Sequence, residues 1–374
     1  MIAPPPLGSL ETPTGLPARM PGALNVVIFL TLALTGSMEP RGVEATTPSM
    51  LAAPAASALE ALAPVGEVVA GTVADVVARG TTAYAAVGER LVVLDVADDG
   101  PRVLGVMPAE ADDVMAVAVA GTRGYLAAGT AGLRVVDVAD PARPMSLGRW
   151  PGEAHAVALA GATAFVLGDG LHVLDVSGPT PREVASLEAG GLALAVAGDI
   201  LAVAAGAEGV RFYDVATRGR PVLISTFPTP KGALDVALGD GRALVAAGLG
   251  GLRLLDIVDP RRPEEVGFFE MQVSGGCAPG SCTASATRVV LDGSRALVTW
   301  ARCEAAFSCR FAPRVTVMDV LDPSAPTVAA TLELEGNPVA VATAAGGILV
   351  AVRPLWWYQG IAPCRLAPGG LLLL

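Results

Sequence analysis

Six apolar segments of this chain end in Asp-Val or Asp-Ile: LVVLDV at 91–96, LRVVDV at 133–138, LHVLDV at 171–176, VRFYDV at 210–215, LRLLDI at 252–257 and VTVMDV at 315–320. Their aspartates are Asp95, Asp137, Asp175, Asp214, Asp256 and Asp319, spaced by 42, 38, 39, 42 and 63 residues. A period close to forty is that of a four-stranded propeller blade. Each copy follows the same order. An Ala/Val strand comes first, as in MAVAVAG at 115–121 or HAVALAG at 155–161, and a tight turn follows. A second strand opens on Tyr84, Tyr125, Phe165, Leu201, Leu244 or Leu297. The Asp-ending strand is third, and a turn such as ADPARP (139–144), VDPRRP (258–263) or LDPSAP (321–326) leads into a fourth.

Innermost propeller strands crowd the axis, so small residues suit them. Second and third strands are covered on both faces and are apolar without alternation. The terminal Asp can accept N–H groups of the following turn, whose bend Asp-Pro fixes. The six aspartates are therefore read as structural. No apolar spacing of three and four persists, which excludes a helical repeat. Composition agrees: hydrophobic residues make up 52% but aromatics only 4%, with Gly 44 and Pro 30 as turn punctuation. The net charge is −11 and the one lysine is Lys231, so no basic stripe exists to bind nucleic acid.

These strands and the D-P-x-x-P turns after them resemble the LVIVD repeat, over roughly 64–374. The resemblance implies a propeller of secreted or surface proteins of bacteria and archaea, with no well-defined common biochemical function. Two copies depart from the turn, with ATRGRP in blade 4 and SGPTPR in blade 3. The expected fold is all-β: a seven-bladed β-propeller of four-stranded antiparallel blades. A seventh copy starts at NPVAVATAAGGILVAV (337–352), and GGLLLL (369–374) supplies its third strand. Its fourth is expected from the N-terminal side, where APVGEVVAG (63–71) resembles other fourth strands and would close the ring.

Ahead of the propeller, taken as 63–374, Ala23 to Thr35 is an uncharged apolar run of signal-peptide length. Residues 1–37 are read as a signal peptide or an N-terminal anchor, and 38–62 as a Pro/Ala-rich linker. The protein is expected to be secreted or held in the cell envelope. It would meet a membrane only through that N-terminal segment, left uncleaved.

Three insertions break the period: SGGCAPGSCTASA, ARCEAAFSCRFAP and PLWWYQGIAPCRLAPGG. They occupy links between fourth and first strands or between second and third strands, which emerge on one face of such a blade. They hold every cysteine: Cys277, Cys282, Cys303, Cys309 and Cys364. Outside the cytoplasm disulfides are the leading reading, with Cys277–Cys282 and Cys303–Cys309 the simplest pairs and Cys364 left over. A zinc site is the sharper alternative. Trp356, Trp357 and Tyr358, with Trp300 and Trp150, are candidate binding residues on that face, either a platform for a sugar ring or apolar patch or caps on a blade. Asp75, Asp235 and Glu153, with Asp112 and Asp113, mark first-strand beginnings near the central opening, where acids either hold a cation or are solvated. His155 also opens a first strand, and His172 lies within a strand. Neither a Ser-His-Asp order, a phosphate loop nor an HExxH motif occurs.

The function expected is that of a non-enzymatic extracytoplasmic interaction scaffold. Its binding face would be built by the insertion loops of blades 6 and 7, and its partner an envelope or extracellular protein or a polysaccharide. No catalytic residue, cofactor or metal is expected. The alternative is a propeller enzyme, a metal-assisted lactonase or a carbohydrate-active protein, working at the central opening.

Overall fold

The structure, a computed structural model, describes residues 72–97, 101–108, 112–272, 284–301, 313–334, 336–344 and 347–354, with the backbone of two short strands, Phe29–Thr31 and Gly370–Leu373. The architecture is a β-propeller of four-stranded antiparallel blades. Blade 1 consists of Val73–Arg79, Thr82–Val87, Arg90–Asp95 and Arg102–Val106, paired in that order. Blades 2 (116–150), 3 (156–187), 4 (193–227), 5 (235–269) and 6 (285–333) repeat the order.

The repeat grammar takes the predicted form. Second strands are enclosed on both faces, as in Thr163–Leu167, while fourth strands are mostly exposed. In all six blades the repeat Asp accepts, through Oδ1, the backbone N–H two residues on. The acceptors are Asp95 (3.2 Å), Asp137 (2.9 Å), Asp175 (3.0 Å), Asp214 (3.0 Å), Asp256 (2.8 Å) and Asp319 (2.9 Å). These Asx turns end the strand and start the bend. Just ahead of each, the pairing of third to fourth strand slips by one residue, for example between Leu254 and Leu255, so every outer strand is bulged in the same place.

Among the described residues the core is not one mass but seven slabs, each between radial neighbours. Tyr84, Leu91 and Val93 of blade 1 meet Val117, Leu126 and Val136 of blade 2, for instance. Outside the slabs, the fourth strand of one blade touches the turn of the next. Gly105, Gly148 and Gly267 lie so close to the carbonyls of Pro141, Pro179 and Pro323 that a methyl group at any of them would collide. At the equivalent seam Ser225 Oγ donates to Pro260 O at 2.6 Å.

The blade count differs from the expected seven: six blades have the complete build. Between blade 6 and blade 1 stands a hairpin, Gly336–Ala344 and Gly347–Pro354. One side packs Val341, Ile348 and Val350 on Val315 and Val317 of blade 6. The other packs Ala340, Ala342, Leu349 and Ala351 on Val73, Val76 and Leu94 of blade 1. The outer edge of its second strand is shared rather than covered by one full partner. Gly370–Leu373 pairs with Val352 to Leu349, as the reading of GGLLLL expected, and Phe29–Thr31 pairs with Leu349 to Gly347. Phe29–Thr31 belongs to the apolar run read as a targeting segment. The strand expected at 63–71 lies outside the described residues.

Candidate functional site

The inner strands define a ring of equivalent positions. In each first strand one residue faces a fixed partner on the second strand: Asp75 faces Ala86, Ala116 Ala127, Ala156 Leu167, Ala193 Ala204, Asp235 Ala246, Arg288 Thr299 and Ala340 Ala351. Four of the seven are alanine, as crowding at the axis demands. The other three are charged and fall in blades 5, 6 and 1.

Each charged residue reaches toward the next unit around the ring. Asp75 Oδ1 accepts from its neighbour Val76 N at 2.9 Å, and Oδ2 accepts from Val117 N of blade 2 at 2.9 Å. Asp235 Oδ2 accepts from Val289 N of blade 6 at 3.0 Å. An inner strand has an unpaired edge toward the axis, and these carboxylates satisfy donors on it. Arg288 Nε donates to Val339 O of the hairpin at 2.8 Å, and its Nη1 lies 4.0 Å from Asp235 Oδ1.

Burial dominates the electrostatics of this layer. It pushes the Asp75 carboxyl from 3.8 up to about 6, against the opposing pull of Arg288 and of the two N–H bonds, with Asp235 adding to the rise. Burial also raises Asp235, again opposed by Arg288 and by backbone hydrogen bonds.

Two connected hollows follow the axis. A throat of about 240 Å³ is lined by Asp75, Asp235, Arg288 and the ring alanines Ala116, Ala156 and Ala193. It opens into a vestibule of about 700 Å³ that shares Met115, His155, Leu192 and Arg288 with it. Asp113, Ala301 and Arg353 also line the vestibule. Asp113 precedes a first strand, while Ala301 ends the second strand of blade 6 and Arg353 lies at the end of the hairpin's second strand. The vestibule therefore opens on the face where the long insertions leave.

Of the acids read from the sequence, Asp75 and Asp235 meet in the throat. Glu153 stays at the rim, where its Oε1 lies 2.8 Å from His155 Nε2. Asp112 accepts from Thr130 Oγ1 at 2.6 Å. Among the described residues no group of three His, Cys, Asp or Glu is arranged to hold a metal ion.

Two of the tryptophans read as binding candidates are packing residues instead. Trp150 is 6% exposed, donates from Nε1 to Glu183 Oε2 at 3.2 Å, and has its ring 4.8 Å from that of His172. His172 itself bridges Asp169 and Glu183 at 2.8 and 3.3 Å. Trp300 is wholly enclosed, bonded through Nε1 to Thr316 Oγ1 at 2.8 Å and set edge-on to Phe269. Each fills a seam between blades, and its one polar atom is satisfied inside. Trp356, Trp357, Tyr358 and all five cysteines lie outside the described residues, so both disulfide pairs do too.

Sequence reading missed Arg288. The signal was present: the ring residue stands five positions before the left-handed residue of the following turn. That turn residue is Gly80, Gly121, Gly161, Gly198, Asp240 or Gly293. Counting back from Gly293 gives Arg288 at the same level as Asp75 and Asp235. Met115 and Leu192, one residue ahead of the ring position, were passed over as ordinary strand residues.

A family model of the LVIVD repeat matches residues 70–100, 111–150 and 151–186. These segments correspond to blades 1, 2 and 3, which therefore carry LVIVD repeats within a β-propeller. Among solved structures the chain is similar to the structure of U3-55K, at TM-score 0.63 and 14% identity over 81% of this chain and 95% of that one. It is also similar to the crystal structure of RRP9 WD40 repeats, at TM-score 0.62 and 13% identity over 81% and 94%. A computationally designed protein, Ika8, follows at TM-score 0.55 and 10% identity over 81% and 95%. At these identities the likeness is one of fold. No curated protein matches the chain.

Proposed function

We propose that this LVIVD-repeat β-propeller is a non-enzymatic extracytoplasmic scaffold that binds its partner on the face where the vestibule opens. One observation carries the reading: Ala301 and Arg353, at the ends of strands from which long insertions depart, line the wall of the axial cavity. Loops and cavity thus share one face, the usual arrangement for recognition on a rigid scaffold. The throat carboxylates support binding over catalysis. Both oxygens of Asp75 accept backbone N–H bonds, and Asp235 holds a third such donor beside Arg288, so neither is a free base. Trp356, Trp357 and Tyr358 are assigned to the same face by their insertion, and an envelope or extracellular protein or a polysaccharide is the partner class.

The ring is proposed to count seven, with the hairpin as the inner half of the seventh blade and 63–71 as its outermost strand. The hairpin supports this: it packs on blade 6 with one face and on blade 1 with the other, as a blade does, and its Ala340 takes the ring position of a first strand.

Capture of envelope protein and polysaccharide by the intact protein, compared with a W356A/W357A variant, tests the binding face. Reduced capture by the variant at unchanged thermal stability is expected. Equal capture by both removes the insertion face from the proposal.

A further inference from the structure

Vestibule and throat form one continuous cavity whose two sides differ in chemistry. Met115 and Leu192 stand 45% and 56% exposed at the head of blades 2 and 4, with His155 of blade 3 between them. The ring residues beneath are Ala116, Ala156 and Ala193, so below a rim that carries Asp113 and the His155–Glu153 pair this half is apolar and open. Blades 5, 6 and 1 make the other half, with Asp235, Arg288 and Asp75.

That half carries an unbalanced charge. Two enclosed carboxylates face one guanidinium. Arg288 is committed to the Val339 carbonyl and lies beside Asp235. Among the described residues Asp75 has backbone donors and forms no ion pair; burial outweighs what Arg288 supplies to it. At the rim, Asp113 lines the wall and Glu153 pairs with His155, and among the described residues Arg353 is the one further arginine in the lining. An apolar wall beside an uncompensated buried carboxylate suits a ligand that is cationic at one end and apolar along its body. An anion would meet repulsion from the carboxylates. A guanidinium gains most from a carboxylate with two free oxygens, and both oxygens of Asp75 already accept N–H bonds. A compact ammonium needs no such fork.

We propose that the cavity binds a primary ammonium group on an apolar stem, a lysine side chain or an alkylamine, with the ammonium in the throat at Asp75 and the stem along Met115 and Leu192. This rests on reading the vestibule face as the binding face and names the ligand chemistry it takes. Calorimetric titration of the full-length purified protein at pH 7.5 and low salt tests it. The probes are n-hexylamine and Nα-acetyl-lysine methylamide, with hexanoate and 1-hexanol as controls. Saturable binding of the amines is expected, at least about tenfold tighter than either control. Tighter binding of the lysine derivative than of hexylamine assigns the site to peptide lysines, and the reverse assigns it to free amines.

Asp75→Asn weakens amine binding about tenfold or more. Arg288→Gln strengthens it, because Asp235 is released to attract the ligand. Leu192→Lys, at an exposed position outside the core, weakens it by placing a competing cation at the mouth. Hexanoate binding as tightly as hexylamine overturns the proposal, and so does a protein that binds neither amine. It is equally overturned if Leu192→Lys leaves affinity unchanged and Arg288→Gln lowers it, a pair that decides the matter even where Asp75→Asn does not fold. Capture of envelope material by a protein that ignores both amines overturns this inference and leaves the broader reading standing.

Discussion

Asp75 links blade 1 to blade 2 from a position where its charge is poorly solvated. Its pKa rises from 3.8 to about 6, chiefly through burial, although Arg288 and two backbone N–H groups favour the ionised form. A carboxyl with a folded pKa above its unfolded one holds its proton more tightly in the folded state. Its contribution to stability is therefore full below about 3.8 and is lost as the pH rises through about 6. About two units of difference correspond to about 3 kcal/mol, an upper figure for a group beside an open throat. Asp235, also raised by burial, acts in the same direction. Asp175 and Asp322 are lowered by hydrogen bonds to their turns and act below this window. Urea unfolding measured from pH 7.5 down to pH 4.5 should show the folded state gaining stability as the solution is acidified. Asp75→Asn keeps one acceptor oxygen and so loses one of the two backbone bonds; it should be less stable than the wild type by about 1–3 kcal/mol near pH 4.5 and lose most of the gain between the two limits. A wild-type stability that is flat or falls toward pH 4.5 refutes the reasoning, as does an Asp75→Asn protein that keeps the whole slope.

Three further outcomes are expected from the packing. Gly267→Ala drives a methyl group into the Pro323 carbonyl and should destabilise by about 1–3 kcal/mol in chemical denaturation, whereas Gly178→Ala, with open space around it, should be near neutral. Asp256→Ala removes the acceptor for Val258 N and should cost about 1 kcal/mol, read as a lower urea midpoint. Trp300→Phe leaves Thr316 Oγ1 without its indole donor in an enclosed site and should lower the melting temperature while leaving capture of a partner unchanged at a temperature where the variant is folded.

The blades were legible because their instructions are local. Asp256 caps a turn two residues away, and Val245 and Leu254 are apolar because neighbouring blades cover both faces. The throat was half legible. Asp75 and Asp235 stand out in Ala/Val strands, but Arg288 reads as an ordinary strand residue until the first strands are aligned on their turns. Trp150 and Trp300 were read from the connections they border, which fix a face of the blade but not the direction of the side chain; each fills a seam wide enough for an indole beside small residues such as Ala154 or Ala286. The outer edge of the hairpin was out of reach for another reason. Which strand lies there depends on segments far apart in the chain, and Phe29–Thr31 carries no feature of the repeat.

The contacts between Gly105, Gly148 and Gly267 and the proline carbonyls of the following blades have a geometric consequence. A backbone carbonyl resting on an α-carbon permits little rocking, so each contact behaves like a tooth that sets the angular step from one blade to the next. The circumference is then decided pair by pair, with no residue sensing the whole circle. The six complete blades leave a wedge between blade 6 and blade 1, and whatever occupies it must match that width. The hairpin meets the requirement with Leu349 and three small side chains toward blade 1, Ala340, Ala342 and Ala351, and branched ones toward blade 6, Val341, Ile348 and Val350. The same teeth resist changes in the width of the axial opening, so the ligand proposed above would meet a socket stiffened by contacts on the distant rim.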